Sequence, residues 1–127
     1  MNVKYELLEN ENGNFKDVTN SKIEDLFHLK IVNDAIFSDF DQDGDLDLII
    51  VGEWMPILFY ENNDNTFSKK EISGVTSNNG WFQTIKETDI DQDGDLDLVL
   101  NNWGEKASVF ENKATSKVQN HYLPTIT

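Results

Sequence analysis

Ten aspartates stand at alternate positions in two loops, and that spacing is the part of the chain best suited to chemistry. Asp39, Asp41, Asp43, Asp45 and Asp47 lie in DFDQDGDLDL, and Asp89, Asp91, Asp93, Asp95 and Asp97 lie in DIDQDGDLDL fifty positions later. The two copies differ only at Phe40/Ile90. Carboxylates this close repel one another, and Asp at loop positions one, three, five, seven and nine with Gly at six can converge oxygens on a hard cation such as Ca²⁺. The spacing assigns side-chain oxygens of Asp39, Asp41, Asp43 and Asp47 to one ion, with the Asp45 carbonyl completing the shell. Asp89, Asp91, Asp93, Asp97 and the Asp95 carbonyl take the second ion. Gly44 and Gly94 permit the turn that lets both arms face the cation, and Leu46 and Leu96 are expected to pin each loop to the core. Magnesium fits less well, because it demands octahedral geometry and usually keeps several waters.

Two rivals fall away on the same residues. An EF-hand needs a bidentate Glu at position twelve and flanking helices, whereas the twelfth positions here are Ile50 and Leu100, inside apolar strand patterns. A plain Asp-Gly hairpin turn needs one or two such residues and gains nothing from five aspartates repeated at fifty residues.

The charge balance is local to these loops. The net charge is −14, and removing the ten loop aspartates from the 24 acidic residues leaves 14 against 10 basic ones. With 14 aromatics in the chain, the remainder reads as a folded domain rather than an acidic tail. The basic patch that phosphate recognition needs is missing, so nucleic acid is not an expected partner. At 127 residues the chain fits a single domain, 1–127. Zero cysteines exclude disulfides, thiol catalysis and Cys-ligated zinc. No apolar run approaches membrane-spanning length, so membrane insertion is not expected, and MNVKYELLEN has no basic-then-apolar signal-peptide pattern.

Internal repetition supplies the elements that must position the loops. Leu46-Asp47-Leu48-Ile49-Ile50 matches Leu96-Asp97-Leu98-Val99-Leu100, and Phe59-Tyr60-Glu61-Asn62 matches Val109-Phe110-Glu111-Asn112. Leu8-Glu9-Asn10 and Phe15 form a third, partial copy fifty-two residues before Tyr60-Glu61-Asn62 and Phe67. Each unit reads as short strands: Ala35 to Phe40, Leu46 to Val51, Ile57 to Tyr60 and Phe67 to Ile72 in the first. The second runs Trp81 to Ile90, Leu96 to Leu100, Ala107 to Phe110 and Val118 to Ile126, the last confined to an edge by Pro124. Ser21 to Leu29 reads either as a helix, with Ser21 and Glu24 as a capping box, or as an irregular connection between blades, and no other stretch suggests a helix. Four strands per fifty residues is the period of a propeller blade. The expected fold is therefore all-β, with about two and a half tandem four-stranded antiparallel blades forming an incomplete propeller. The pieces are a half-blade hairpin at 1–20, a first full blade at 33–76 with loop 39–47, and a second blade at 80–127 with loop 89–97.

The loop and its flanking strands resemble the FG-GAP or VCBS type of calcium-binding propeller repeat, as in integrin α-subunit propellers. Gly52-Glu53-Trp54-Met55-Pro56-Ile57, Gly80-Trp81-Phe82 and Asn101-Asn102-Trp103-Gly104 are similar to tandem units of bacterial relatives of cartilage acidic protein. The resemblance covers roughly residues 5 to 112. It implies Ca²⁺ at both loops, on the ten aspartates named above, and an extracellular or cell-surface setting, as in secreted bacterial proteins. Two and a half units depart from the family's closed propellers, so open blade edges imply self-association or a longer parent chain. The segment Lys113 to Gln119 also lacks the Asn-rich turn and Phe of Asn62 to Phe67.

Trp54, Trp81 and Trp103 allow either packing between blades or a sugar-stacking platform. His28 and His121 stand without a nucleophile context, and nothing singles out Glu53 or Glu105 as a glycosidase pair. The expected function is a calcium-stabilised structural, adhesive or binding module, not an enzyme, with an unidentified protein or glycan ligand. A carbohydrate-binding or carbohydrate-active domain is the alternative, and a calcium sensor stands third.

Overall fold

In the computed structural model, residues 3–23, 25–72, 75, 79–104, 108–112 and 118–122 are described. The chain is all-β apart from one short helix and one 3-10 turn among those residues. Strands β1 (Leu8–Glu11) and β2 (Asn14–Asp17) form a separate hairpin, and helix α1 (Thr19–Lys22) follows it. Strands β3 (Ile31–Ser38), β4 (Asp47–Met55), β5 (Leu58–Asn63) and β6 (Thr66–Lys70) make the first four-stranded unit. Strands β7 (Gly80–Thr88), β8 (Asp97–Asn102), β9 (Ser108–Asn112) and β10 (Val118–Tyr122) make the second. Neighbouring strands within each unit run antiparallel, and the units join where Glu53 and Met55 of β4 pair with Trp81 and Gly80 of β7.

Turn chemistry sets the hairpins. Asn12 and Gly13 between β1 and β2 have φ of 54° and 92°, and Asp64 and Asn65 between β5 and β6 have 52° and 63°. Two successive left-handed residues are what a two-residue hairpin requires, and Asn, Asp and Gly bear that conformation best. These turns lie at the fifty-two-residue offset that relates Leu8-Glu9-Asn10 to Tyr60-Glu61-Asn62.

Strand β4 is apolar on both sides because it is covered on both sides. Ile49 and Val51 enter a cluster with Ile57, Phe59, Phe82, Ile85, Leu98, Leu100 and Phe110, which fills the space between the units. Leu48 and Ile50 face the other way, into a cluster with Ile23, Leu26, Met55, Leu58 and Tyr60. Tyr5 and Leu7, ahead of β1, pack against that second cluster. The second unit is more polar on the positions equivalent to the first cluster: exposed Lys86 and Asn101 stand where the first unit has Ile36 and Val51.

Two local expectations are corrected. The expected helix over Ser21 to Leu29 is α1, starting two residues earlier, and a separate 3-10 turn at Leu26–His28, with Asp25 left-handed at φ 63° before the turn. Ser21 is not a cap: its Oγ donates back to the Val18 carbonyl at 3.2 Å. The helix starts early because the Thr19 backbone N–H and hydroxyl both donate to Asp17 Oδ1, at 3.0 and 2.6 Å, and Thr19 Oγ1 accepts from the Leu7 N–H at 2.8 Å. Leu46 does not pin its loop, being 54% exposed, while Leu96 is half-buried. Glu24, Glu105, Ala107, Pro124 and most of Lys113 to Gln119 lie outside the described residues.

Candidate metal centre

Each Asp-rich loop leaves the end of one strand and enters the next, from β3 to β4 and from β7 to β8. The two fold alike because their own carboxylates accept from their own backbone. In the first, the Asp43 N–H lies 3.1 Å from Asp39 Oδ1 and 3.3 Å from Asp41 Oδ1. Gly44 N–H donates to Asp39 Oδ2 at 3.0 Å and Asp45 N–H to Asp43 Oδ1 at 2.9 Å. The second repeats this through Asp93 to Asp89 and Asp91, Gly94 to Asp89 and Asp95 to Asp93, at 3.1, 3.3, 3.0 and 3.0 Å. Gln42 and Gln92 both have φ of 60°, and Gly44 and Gly94 have 94° and 97°.

Not all expected ligands converge equally. Oxygens of Asp39, Asp41 and Asp43 lie within 4.8 Å of one another in the first loop, and those of Asp89, Asp91 and Asp97 do so in the second. Asp47 and Asp97 are buried at the first residue of β4 and of β8, whereas Asp45 is exposed and Asp95 buried. Asp47 Oδ1 accepts from the Asn62 N–H at 2.8 Å, and Asp97 Oδ2 accepts from the Ile90 N–H at 2.8 Å. Asn62 also donates from Nδ2 to the Leu46 carbonyl at 3.0 Å, so β5 clasps the loop through its backbone, and an apolar anchor at Leu46 is unnecessary.

The electrostatics are those of a crowded anionic site. Burial, reinforced by the Asp47 charge, pushes the Asp41 carboxyl up to about 6. Asp47 is also raised, by burial first and then by Asp43 and Asp39, against the hydrogen bond from Asn62. Asp91 is raised by desolvation and by Asp93 and Asp97. A donor set made only of oxygens suits a hard divalent cation. Beside the first loop, Ser38 Oγ and Asn62 Oδ1 are buried without a hydrogen-bond partner, as a site built to bind something more would leave them.

Several positioning residues escaped the spacing argument. Asp34 on β3 joins the units: its Oδ2 accepts from Thr84 Oγ1 and from the Ile85 N–H, both at 3.0 Å. Burial alone would raise this carboxyl, but those bonds and one from the Ala35 N–H outweigh it and hold the group below its ordinary value. Asn33 Nδ2 adds a bond to the Phe82 carbonyl at 2.8 Å. Asn62 carried a usable signal, the repeated Glu-Asn after an aromatic, but Asp34 carried none, since its partners lie some fifty residues away.

The three tryptophans form a row. Trp81 stacks between Trp54 and Trp103, with tilted rings and centroids 5.3 and 5.0 Å away. Trp54 is 62% exposed and Trp103 60% exposed. Trp54 occupies a bulge in the β4–β7 pairing at a left-handed φ of 52°, an uncommon conformation for an aromatic residue. The Trp103 N–H donates to the Trp81 carbonyl at 2.8 Å, which fixes the inner pair. Glu53 is paired in β4 with Ile31 and Trp81, and His28 is exposed at the end of the 3-10 turn.

The described chain is thus built of tandem antiparallel four-stranded units, each with an Asp-rich loop between its first two strands. Residues 39–100 match the FG-GAP-like repeat family, a stretch that begins at the first Asp of one loop and reaches through β8 of the second unit. A search of curated proteins finds no match to the chain. No helix among the described residues is long and apolar enough to cross a membrane.

Proposed function

We propose that this chain is a calcium-stabilised β-propeller-type module with a structural, adhesive or binding role, in which Asp39, Asp41, Asp43 and Asp47 with the Asp45 carbonyl hold one Ca²⁺. Asp89, Asp91, Asp93 and Asp97 with the Asp95 carbonyl hold the other. The observation that carries this reading is the repetition of one loop geometry, bond for bond, around carboxylates that are raised by burial and mutual repulsion. Such a loop is costly as an empty anion and favourable around a divalent cation. Calcium is preferred to magnesium because the loops supply many closely spaced oxygens rather than a few ligands with room for retained water. The function is then mainly linkage: ions that bind only the folded loops favour the fold. An extracellular or cell-surface setting accords with this, because calcium there is plentiful enough for weak sites to fill. The test is calorimetric titration with calcium, in which two ions per chain are expected and no uptake at millimolar calcium refutes the reading.

A second reading rests on Trp54 and Trp103, whose exposed rings flank Trp81 at one rim of the sheet. A carbohydrate ligand would lay its C–H faces on these indoles. Glycan-array binding lost on Trp54→Ala or Trp103→Ala supports it, and unchanged binding removes the tryptophans from it.

A further inference from the structure

We propose that the two Asp-rich loops are coupled through Gln42, so that a cation in the first loop strengthens the hold of the second on its own; this rests on the calcium reading above. Gln42 lies between two expected ligands of the first loop, Asp41 and Asp43, yet its Nε2 donates to Asp95 Oδ1 of the second. The bond crosses from one unit to the next. The same position in the two loops behaves differently as a result: Asp95 is 4% exposed, while Asp45 is open to solvent. The Gln92 side chain, the equivalent of Gln42, makes no hydrogen bond to another described residue, which makes it a natural control.

The consequence follows from what Asp95 does in its loop. Its carbonyl is assigned to the second ion, and its N–H already donates to Asp93 Oδ1 at 3.0 Å. Holding the Asp95 carboxylate from outside fixes the backbone on both sides of that carbonyl, so the second loop is ordered before the ion arrives. A buried carboxylate left without that amide would be free to swing outward and take the carbonyl with it. In turn, a cation bound by Asp41 and Asp43 freezes the backbone of Gln42 between them. Each ion therefore lowers the ordering cost of the other, and by linkage the effect must be equal in both directions. Partners just outside a metal's ligand set commonly change affinity tenfold or more, and Gln42 acts from that position on the second loop.

The experiment is calcium titration by calorimetry on the whole chain, comparing wild type with Gln42→Ala, Gln42→Glu and Gln92→Ala. Asp43→Ala and Asp93→Ala, each disabling one loop, assign the steps. Gln42→Ala is expected to weaken binding at the second loop roughly tenfold and, by reciprocity, to remove the gain the first loop takes from a filled second loop, while leaving the first loop's affinity in the Asp93→Ala background within about twofold. Gln42→Glu should weaken the second loop further, because it sets a like charge against Asp95. Gln92→Ala should match wild type. Disabling the first loop with Asp43→Ala should weaken the second in the wild-type background and have no further effect in Gln42→Ala. Two ions bound with equal affinities in wild type and Gln42→Ala would overturn the coupling while leaving the calcium reading intact. No calcium uptake by wild type would overturn both. Because Gln42 is exposed, folding of its variants can be checked independently by the near-ultraviolet signal of the tryptophan row.

Discussion

Asp34 Oδ2 lies 3.0 Å from the backbone nitrogen of Ile85, fifty-one residues along the chain, and so β3 of one unit is tied to β7 of the next. The bond is charge-assisted and shared with the Thr84 hydroxyl, beside the Asn33 bond to the Phe82 carbonyl and an apolar cluster drawn from both units. Asp34→Ala should lower stability by about 1–3 kcal/mol, because it leaves a part-buried N–H and hydroxyl unpaired. The pH dependence identifies the cause. The folded carboxyl is held below its ordinary value, so its contribution is present above about pH 4 and lost as pH falls through the folded value. Urea unfolding of wild type and Asp34→Asn should therefore differ at pH 7 and converge below about pH 4; a constant difference across that range would refute the assignment.

Removing metal should destabilise the chain. An ion that binds only the native loops contributes about 2.7 kcal/mol per site at a hundredfold excess over its dissociation constant. Melting with excess EDTA should fall below melting with calcium, and Asp43→Ala combined with Asp93→Ala should erase the difference. Identical melting curves with chelator and with calcium would count against calcium at both loops.

Protons and calcium should compete at the first loop. With Asp41 pushed up to about 6, its proton must leave before the oxygen can serve the ion, so calcium affinity at that loop should drop about tenfold between pH 7 and pH 5. Without calcium the sign reverses. A raised carboxyl stabilises the fold below its unfolded value and loses that contribution as pH rises through about 6. Melting in EDTA should accordingly be less favourable at pH 7 than at pH 5 as far as this loop is concerned, and Asp41→Asn should flatten that trend.

The tryptophan row should show a graded response. Trp81→Ala breaks both ring contacts and Trp54→Ala or Trp103→Ala only one. With each aromatic pair worth about 0.5–1.5 kcal/mol, Trp81→Ala should cost about twice as much as either neighbour in guanidinium unfolding. Trp54→Gly should cost less than Trp54→Ala, because glycine relieves the left-handed backbone at that bulge.

Two glycines separate steric from conformational need. A Cβ at Gly52 would meet the Ile31 carbonyl oxygen at 2.0 Å and Met55 Sδ at 2.7 Å, so β3 and β4 would have to part. Gly52→Ala should cost about 3 kcal/mol or more. Gly44 has open space around it but a φ of 94°, so Gly44→Ala should cost only about 1–2 kcal/mol, most of it visible as weaker calcium uptake. Equal losses of stability from the two changes would show that crowding at Gly52 is relieved elsewhere.

Much of this architecture was legible in the residues. Alternating and doubly apolar runs located all the strands of the first unit to within a few residues, because burial of β4 on both faces demands an unbroken apolar stretch. The Asn-rich turn that holds Asp64 and Asn65 was equally plain, since few side chains accept a left-handed backbone. Ser21 was misread as a cap because Thr19 holds the helix start instead, through Asp17 and through Leu7 twelve residues away. Leu46 was misread because an apolar residue inside a loop carries no sign of whether the core or solvent receives it.

By itself the sequence determined the loop chemistry and the local fold: alternate aspartates around a glycine, bracketed by strands, allow few other conformations. Only the tertiary structure decided which oxygens converge, that Asn62 rather than Leu46 holds the first loop, that Asp34 and Gln42 reach into the next unit, and that Trp81 lies between Trp54 and Trp103. The reason is physical. Spacing along a chain controls what neighbours within a turn can do, whereas contacts between residues fifty positions away depend on strand register and on the bulges at Asn33, Trp54 and Gln83, and neither is written in the local pattern.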